Sequence, residues 1–217
     1  MKVIITGATG MVGEGVLFEC LRNEKVSHVL SISRKPYGLQ HPKLKELIVP
    51  DFMQLDKFAD EIKGYDACFF CAGISSVGMK EDKFTHITYD TTLAFAKSLI
   101  GANGNNNISF CYVSGAATDS TEKGRIMWAR VKGKTENDLA KLPFKYEFNF
   151  RPGVMQPFPE QKNWRGSFKF IVKIIKALAP KYVLTLEELA KAMIHVVSNG
   201  YKKNILEVKD IREAAYL

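Results

Sequence analysis

The sequence has 217 residues, of which 46% are hydrophobic and 25% are charged. This composition is typical of globular proteins and excludes collagen-like, disulfide-scaffold and disordered chains. One domain of this length buries roughly 70% of the surface that its unfolded chain exposes, so it needs no metal or disulfide for stability. The 31 basic and 23 acidic side chains give a net charge of +8, which favours an anionic ligand or surface.

Short β-rich segments alternate with amphipathic segments along the first 150 residues. Predicted helices lie at 12–22 and 89–100, where apolar side chains recur at helical spacing. The predicted strands span residues 2–6, 26–33, 45–49, 67–71, 108–114 and 146–151. Three strands contain continuous apolar runs, as expected for strands covered on both faces. The alternation predicts an α/β fold with a doubly wound parallel sheet.

After residue 154 the alternation weakens, and residues 155–217 are predicted to form a small C-terminal lobe. Helices are predicted at 167–179 and 186–198, and a strand at 205–208. The helix at 167–179 has an apolar face and a lysine face, which is the ordinary pattern of a surface helix. We therefore expect it to pack on the core and not to bind membranes stably.

A glycine-rich loop follows the first predicted strand. Residues 6–13 have the sequence Thr-Gly-Ala-Thr-Gly-Met-Val-Gly and lie between a buried strand and an amphipathic helix. Gly7 permits a tight turn, Gly10 lets the backbone approach a pyrophosphate, and Gly13 allows close helix packing. Because a helix N-terminus also offers free N–H groups to an anion, this context predicts dinucleotide binding.

The loop resembles that of the extended or atypical branch of the short-chain dehydrogenase/reductase superfamily. The resemblance continues through residues 65–73, 112–115 and 150–154, which are similar to the fourth, fifth and sixth strands of that branch. The Val-Lys-Gly-x-x-Glu sequence at 131–136 is similar to the Tat-interactive-protein-like members. The resemblance implies one NAD(P)-binding Rossmann domain over residues 1–217, with 155–217 forming a lobe on the substrate side.

The same resemblance implies which residues bind the dinucleotide. Asp51 and Phe52 would flank the adenine, and residues 71–73 would line the ribose and pyrophosphate. The full expected set is Gly7, Thr9, Gly10, Met11, Val12, Gly13, Arg34, Lys35, Asp51, Phe52, Cys71, Ala72, Gly73, Lys132, Pro152, Gly153 and Val154.

Two basic residues, Arg34 and Lys35, follow the second strand. An acidic residue at this place would bind the ribose 2′-hydroxyl of NAD, whereas a basic one accommodates the 2′-phosphate of NADP. Because the strand end carries no carboxylate, we expect NADP as the cofactor, with NAD less favoured.

The catalytic positions are only partly filled. The resemblance implies a Tyr-x-x-x-Lys pair and a serine about a dozen residues earlier; Lys132 matches the lysine, but Trp128 stands at the tyrosine position. An indole N–H is a donor without an accessible pKa, so it cannot act as a general acid or base. The expected serine position falls at Gly115 or Ala116, with Ser114 the nearest hydroxyl. Lys132 and Ser114 are therefore the candidate catalytic residues.

Two functions stay open. The first is an NADP-binding protein with weak or no redox activity and a regulatory role. The second is an active NADP-dependent reductase or nucleotide-sugar epimerase/dehydratase whose acid is another residue, for instance His86 or Tyr89. The first is favoured because two of the three catalytic roles lack their residue.

The remaining features predict no further site. Gly133-Lys134-Thr135 resembles the end of a P-loop, but the place of its first glycine holds Trp128. Cys68 and Cys71 face opposite sides of a strand, so we expect no metal or redox pair. No nucleic-acid motif or leader segment is recognised, so we expect a cytoplasmic protein that binds a dinucleotide and a small-molecule substrate and no nucleic acid.

Overall fold

Parallel strands form the centre of the computed structural model, which describes residues 1–164, 172, 175 and 183–217. The strands are β1 (Lys2–Thr6), β2 (His28–Ser33), β3 (Leu44–Ile48), β4 (Ala67–Phe70), β5 (Ser109–Val113), β6 (Glu147–Arg151), β7 (Val154–Gln156), β8 (Val183–Thr185) and β9 (Ile205–Glu207). Within this part of the chain, seven strands form one sheet in the order β3-β2-β1-β4-β5-β6-β9. Every neighbouring pair in it is parallel, which confirms the predicted fold class.

Helices cover both faces of the sheet. They are α1 (Met11–Arg22), a 3₁₀ helix (Phe52–Phe58), α2 (Glu81–Thr85), a π-helical turn (His86–Asp90), α3 (Thr91–Asn103), α4 (Met127–Leu139), α5 (Leu186–Asn199) and α6 (Val208–Ala215). Helices α1, α5 and α6 share a core with Val3 and Ile5 of β1. The 3₁₀ helix, α3 and α4 share the opposite core with Ile4. Successive residues of β1 thus enter different cores, which explains its continuous apolar run.

Most predicted boundaries are close to the observed ones, and the differences have local causes. The second strand begins at His28 and not at residue 26, because a turn closes with the Val26 N–H donating to the carbonyl of Asn23. The helix predicted at 89–100 is the last part of a longer continuous segment, α2–π–α3. The 3₁₀ helix and the separate parallel pair β7–β8 have no apolar periodicity that would have predicted them.

The described part of the predicted C-terminal lobe is joined to the main domain. Strand β9 pairs with β6 at the edge of the sheet, and α5 packs on α1 in the same core. Of the described strands after residue 153, β7 and β8 pair with each other outside the seven-stranded sheet. The helix predicted at 167–179 lies, apart from residues 172 and 175, outside the described residues.

A buried carboxylate ties α1 to two distant segments. Glu14 has no exposed surface. Its oxygens accept hydrogen bonds from the Tyr37 hydroxyl at 2.8 Å, from the backbone N–H groups of Lys162 at 3.1 Å and Asn163 at 2.9 Å, and from Nε2 of Gln161 at 3.2 Å. A buried charge is stable only when it is hydrogen-bonded. Glu14 therefore fixes the loop after β2 and the segment after β7 to the first turns of α1.

We predict that Glu14→Gln lowers the free energy of unfolding by about 3 kcal/mol, since charged hydrogen bonds are lost and an amide NH₂ would face backbone N–H donors. Urea unfolding followed by circular dichroism measures this change. The matched control is Glu24→Gln at an exposed position of the same region, which should alter stability by less than about 0.5 kcal/mol. Equal stabilities of the two variants would contradict the role of Glu14.

Candidate functional site

The glycine-rich loop passes between β1 and α1 directly against the end of β4. Gly7 has a φ of +76°, and a Cβ added there would lie 2.8 Å from the carbonyl carbon of Cys71. A Cβ on Gly13 would lie 2.2 Å from the carbonyl oxygen of Gly7. In both cases the obstacle is backbone, which cannot rotate away as a side chain could. These two positions therefore require glycine for the loop to keep this path.

Thr6, the last residue of β1, also holds the glycine loop against the end of β4. The sequence analysis missed this role. The buried Oγ1 of Thr6 accepts hydrogen bonds from the backbone N–H groups of Cys71 and Ala72, each at 3.1 Å. These bonds hold the segment that follows β4 against the end of β1. The signal in the sequence is a threonine that ends an apolar strand immediately before the first glycine.

The N-terminus of α1 fits a phosphate group. Gly10 precedes the helix and has no side chain to cap it, and the first helical hydrogen bond runs from the N–H of Glu14 to the carbonyl of Gly10 at 2.9 Å. The N–H groups ahead of Glu14 therefore precede the helical ladder and can bind an anion. Gly73 lies in the same cavity wall as Gly10. A Cβ added to Gly73 would meet no atom within 4 Å, so the space in front of the loop is open to a ligand.

Two adjoining cavities lie on either side of this loop, and both are lined by Gly10 and by residues 71–74. The first, here called the Arg34 cavity, has a volume of about 440 Å³ and is also lined by Arg34, Asp51 and Phe52. The second, the Trp128 cavity, has a volume of about 590 Å³. The two meet at the helix N-terminus, so together they offer an elongated site with its phosphate-binding element in the middle.

Most of the residues predicted to bind the cofactor line one of these cavities. They are Gly7, Thr9, Gly10, Met11, Val12, Arg34, Asp51, Phe52, Cys71, Ala72, Gly73, Lys132, Pro152 and Gly153. Three predicted residues are placed elsewhere: Gly13 packs under Gly7, Lys35 lies beside the Arg34 cavity without lining it, and Val154 begins β7. The sequence analysis missed Ile74 and Met155, which are lining residues without a motif.

The Arg34 cavity combines one cation with an aromatic wall. Arg34 is exposed at the end of β2. Phe52 is fixed by ring contacts with Phe70 and Phe95, at centroid distances of 6.5 and 5.2 Å. Asp51 caps the 3₁₀ helix, because its Oδ1 accepts from the N–H of Met53 at 2.9 Å. This arrangement suits a planar base beside a negatively charged group.

Lys132 lies in the wall of the Trp128 cavity and is held by the end of β5. Its Nζ donates a hydrogen bond to the carbonyl oxygen of Ser114 at 2.5 Å. Burial lowers the pKa of Lys132 to about 8, and the nearby Glu136 carboxylate only partly offsets this shift. One backbone contact orients the ammonium group, and its other N–H bonds are available to a ligand.

Ser114 lines the Trp128 cavity, but its hydroxyl belongs to a buried polar network behind the cavity wall. Its Oγ donates to Oε1 of Glu136 at 2.5 Å. Glu136 in turn accepts from Nε of Arg151 at 3.1 Å and forms a buried ion pair with that guanidinium. Because a hydroxyl has one proton to donate, Ser114 has no donor left for a substrate oxygen. The sequence could place Ser114 near the site, but the direction of its hydroxyl depends on Glu136 and Arg151.

Trp128 occupies the position where the resemblance implies a tyrosine. A Cβ on Gly115 would lie 3.6 Å from Cζ3 of the indole, so the ring covers the turn after β5. Its N–H has no hydrogen-bond partner in the described part of the chain. Ala116, at the expected serine position, is exposed and also lines this cavity.

The two alternative acids lie elsewhere. The Tyr89 hydroxyl donates to Oδ2 of Asp138 at 2.7 Å, and this bond together with burial raises the pKa of Tyr89 to about 12. His86 lines the Arg34 cavity, with Nδ1 at 3.2 Å from Oδ2 of Asp90. Neither side chain is among the described residues that line the Trp128 cavity.

We predict that Gly13→Ala destabilises the protein by about 3 kcal/mol or more, because the new methyl group would overlap the Gly7 carbonyl. The matched control is Gly101→Ala in α3, where a Cβ would meet no atom within 4 Å; it should stabilise the helix by up to about 1 kcal/mol. Thermal and urea unfolding of both variants test this difference. A Gly13→Ala variant as stable as the parent would disprove the described loop packing.

Comparison with known proteins identifies the family and the fold. The family model described as NAD dependent epimerase/dehydratase family matches residues 3–124. The chain is 25% identical over 216 residues to the mitochondrial protein FMP52 of Meyerozyma guilliermondii, covering 96% of this chain and 90% of that protein.

Two solved structures have the same fold. A UDP-N-acetylglucosamine 4-epimerase from Methanobrevibacter ruminantium, in complex with UDP-N-acetylmuramic acid, has a TM-score of 0.69 at 18% identity. The alignment covers 95% of this chain and 75% of the epimerase chain. The dTDP-glucose 4,6-dehydratase DesIV from Streptomyces venezuelae, with NAD and TYD bound, has a TM-score of 0.69 at 16% identity. Its alignment covers 96% of this chain and 75% of the DesIV chain. At these identities the likeness shows the fold alone.

The predicted cytoplasmic location is corrected by these relatives. The FMP52 proteins that match this chain, at 25% identity, are named mitochondrial. The prediction relied on the start of the sequence and on the lack of long apolar segments, neither of which identifies a compartment. Among residues 1–164 and 183–217, no helix has the length and apolar character needed to cross a membrane.

Proposed function

The chain belongs to the NAD-dependent epimerase/dehydratase family, and from this premise we propose that it is an NADP-binding protein with weak or no redox turnover and a regulatory role. The observation that carries the proposal is Trp128, which lies in the cavity wall where proton transfer requires a phenol. The family and the loop geometry support dinucleotide binding. The choice of NADP and the low turnover are the finer parts of the proposal and are argued separately.

The preference for NADP rests on Arg34. This side chain lines the cavity at the end of β2, where the neighbouring Ser33 uses its hydroxyl to donate to the carbonyl of Lys35 at 2.5 Å. The end of the strand thus carries a cation and no carboxylate that could bind a ribose 2′-hydroxyl. A guanidinium forms bidentate, charge-assisted hydrogen bonds with phosphate. Asp51, the acidic residue in the same wall, is engaged in capping the 3₁₀ helix.

We predict that Arg34→Ala weakens NADP⁺ binding by about 10- to 100-fold and changes NAD⁺ binding little, since a charge-assisted hydrogen bond contributes about 1.5–3 kcal/mol. Isothermal titration calorimetry with both nucleotides measures the ratio. Lys35→Ala is the matched control, because Lys35 is exposed next to Arg34 but does not line the cavity. Equal affinities of the parent protein for NADP⁺ and NAD⁺ would overturn the proposed preference.

The low turnover follows from the groups that surround the Trp128 cavity. When bound, a nicotinamide dinucleotide supplies hydride-transfer chemistry. The chain must add a group that moves a proton at the substrate oxygen, and Trp128 cannot do so. Ser114 donates to Glu136, and Ala116 has no hydroxyl. Lys132, which is oriented by the carbonyl of Ser114, is left to bind the cofactor ribose.

We predict a kcat below about 1 s⁻¹, the lower end of typical enzyme values, for NADPH oxidation with aldehydes, ketones or nucleotide sugars. The reason is the missing general acid, which typically contributes 10²- to 10⁴-fold. NADPH absorbance in the presence of each carbonyl substrate measures the rate, and calorimetry on the same sample confirms that NADPH is bound. A faster turnover on any of these substrates would refute the proposal and direct attention to Lys132 as the proton donor.

A further inference from the structure

The Trp128 cavity has few polar side chains, although the Methanobrevibacter ruminantium epimerase of the same fold was solved with UDP-N-acetylmuramic acid. Its lining beyond the glycine loop is mainly apolar: Ile74, Val113, Ala116, Ala117, Trp128 and Met155. Among the described residues that line it, none is an Asp, Glu, Asn, Gln, Arg or His. Sugar hydroxyls are recognised by such side chains, which donate and accept hydrogen bonds in fixed directions. Apart from Ser75, Ser114 and Lys132, the described lining therefore offers none of the side chains that usually bind a sugar ring.

The side-chain hydrogen-bond donors that face the cavity are few. Lys132 has N–H bonds to spare after its contact with the Ser114 carbonyl. The Trp128 N–H has no partner in the portion of the chain that the structure describes. Ser114, which could have been a further donor, is engaged with Glu136. Ser75, an exposed residue of the same lining, accepts from the N–H of Val77 at 3.3 Å and keeps its hydroxyl proton. These donors favour a ligand that presents a hydrogen-bond acceptor, as a carbonyl oxygen does.

The shape of the wall favours a flat ligand. Trp128 packs against Gly115, which adds no side chain above the turn after β5, and the next two residues are alanines. Small residues next to an indole leave room for a planar group to contact the ring, an arrangement that aromatic pairs favour. The volume of about 590 Å³ must also hold one half of the dinucleotide, which limits the second ligand to a small molecule.

We propose that the second ligand of the Trp128 cavity is a small, flat, largely apolar carbonyl compound and not a nucleotide sugar. This inference rests on the proposed dinucleotide binding, since the dinucleotide forms part of the same cavity. The apolar body of the ligand contacts Trp128 and the alanines, and its carbonyl oxygen accepts from Lys132 or from the indole N–H. In a protein with a regulatory role, such a compound acts as a regulatory ligand that binds together with NADP.

Tryptophan fluorescence tests this inference directly, because the chain has two tryptophans, Trp128 and Trp164. In a Trp164→Phe protein saturated with NADP⁺, all tryptophan emission comes from Trp128. Acetophenone is the probe for a flat apolar carbonyl compound, and UDP-glucose is the probe for a nucleotide sugar. NADP⁺ is used in place of NADPH so that no reduction accompanies binding. We expect saturable quenching by acetophenone and no saturable change with UDP-glucose.

A second variant separates binding from folding. Trp128→Ala should weaken acetophenone binding by about tenfold or more in calorimetry, since the aromatic contact is lost, while circular dichroism and urea unfolding show that the variant is folded. The Trp164→Phe protein is the matched control and should bind acetophenone like the parent. Saturable UDP-glucose binding, or acetophenone binding that is absent or insensitive to Trp128→Ala, would overturn the inference and leave the proposed NADP binding intact. Failure to bind NADP⁺ would overturn both.

Discussion

The backbone contact between the glycine loop and the end of β4 is the constraint on which the rest of the structure depends. Gly13 lies so close to Gly7 that a methyl group would overlap a carbonyl oxygen, and a methyl group on Gly7 would lie 2.8 Å from the backbone of Cys71. Thr6 holds the same strand end through two hydrogen bonds. The contact fixes the direction of α1, so that the N-terminus of the helix points to the boundary between the two cavities. A phosphate group at that point would have one cavity on each side.

The two halves of the site are built for different chemistry. The Arg34 cavity contains a cation and an aromatic wall, which suit a nucleotide with an additional phosphate. The Trp128 cavity contains small and apolar side chains and one lysine whose pKa burial lowers. Ser114 lines this cavity, but its hydroxyl donates to Glu136, which is paired with Arg151. These bonds stabilise the junction of β5, β6 and α4 and leave no Ser114 proton for a ligand, which agrees with a site that binds more readily than it catalyses.

The sequence was sufficient to predict those parts of the molecule that depend on neighbouring residues. The β1–loop–α1 unit, the parallel sheet and the position of Arg34 follow from local patterns, because strand burial and glycine spacing are visible in the order of the residues. The absence of a phenol at position 128 is equally visible. From these features, most of the candidate site can be predicted from the sequence alone.

Features that depend on distant residues could not be predicted. Glu14 is bound by Tyr37 and by residues 161–163, which are far from it in sequence. The hydroxyl of Ser114 is turned to Glu136 by a network that also needs Arg151. Tyr89 was a candidate acid by its place in the chain, but Asp138 binds its hydroxyl outside the site. In each case the sequence identifies the residue, whereas its role depends on partners that only the fold brings near.

Backbone amide hydrogen exchange, followed by nuclear magnetic resonance with and without NADP⁺, is the sharpest test of whether a dinucleotide binds with its phosphates at the N-terminus of α1. We expect slower exchange of the Met11 and Val12 amides when NADP⁺ is added, because these N–H groups would then donate to the phosphates. The amide of Ile211 in α6, which does not line either cavity, should be unaffected. Unchanged exchange at Met11 and Val12 under saturating NADP⁺ would show that the phosphates do not bind at this helix.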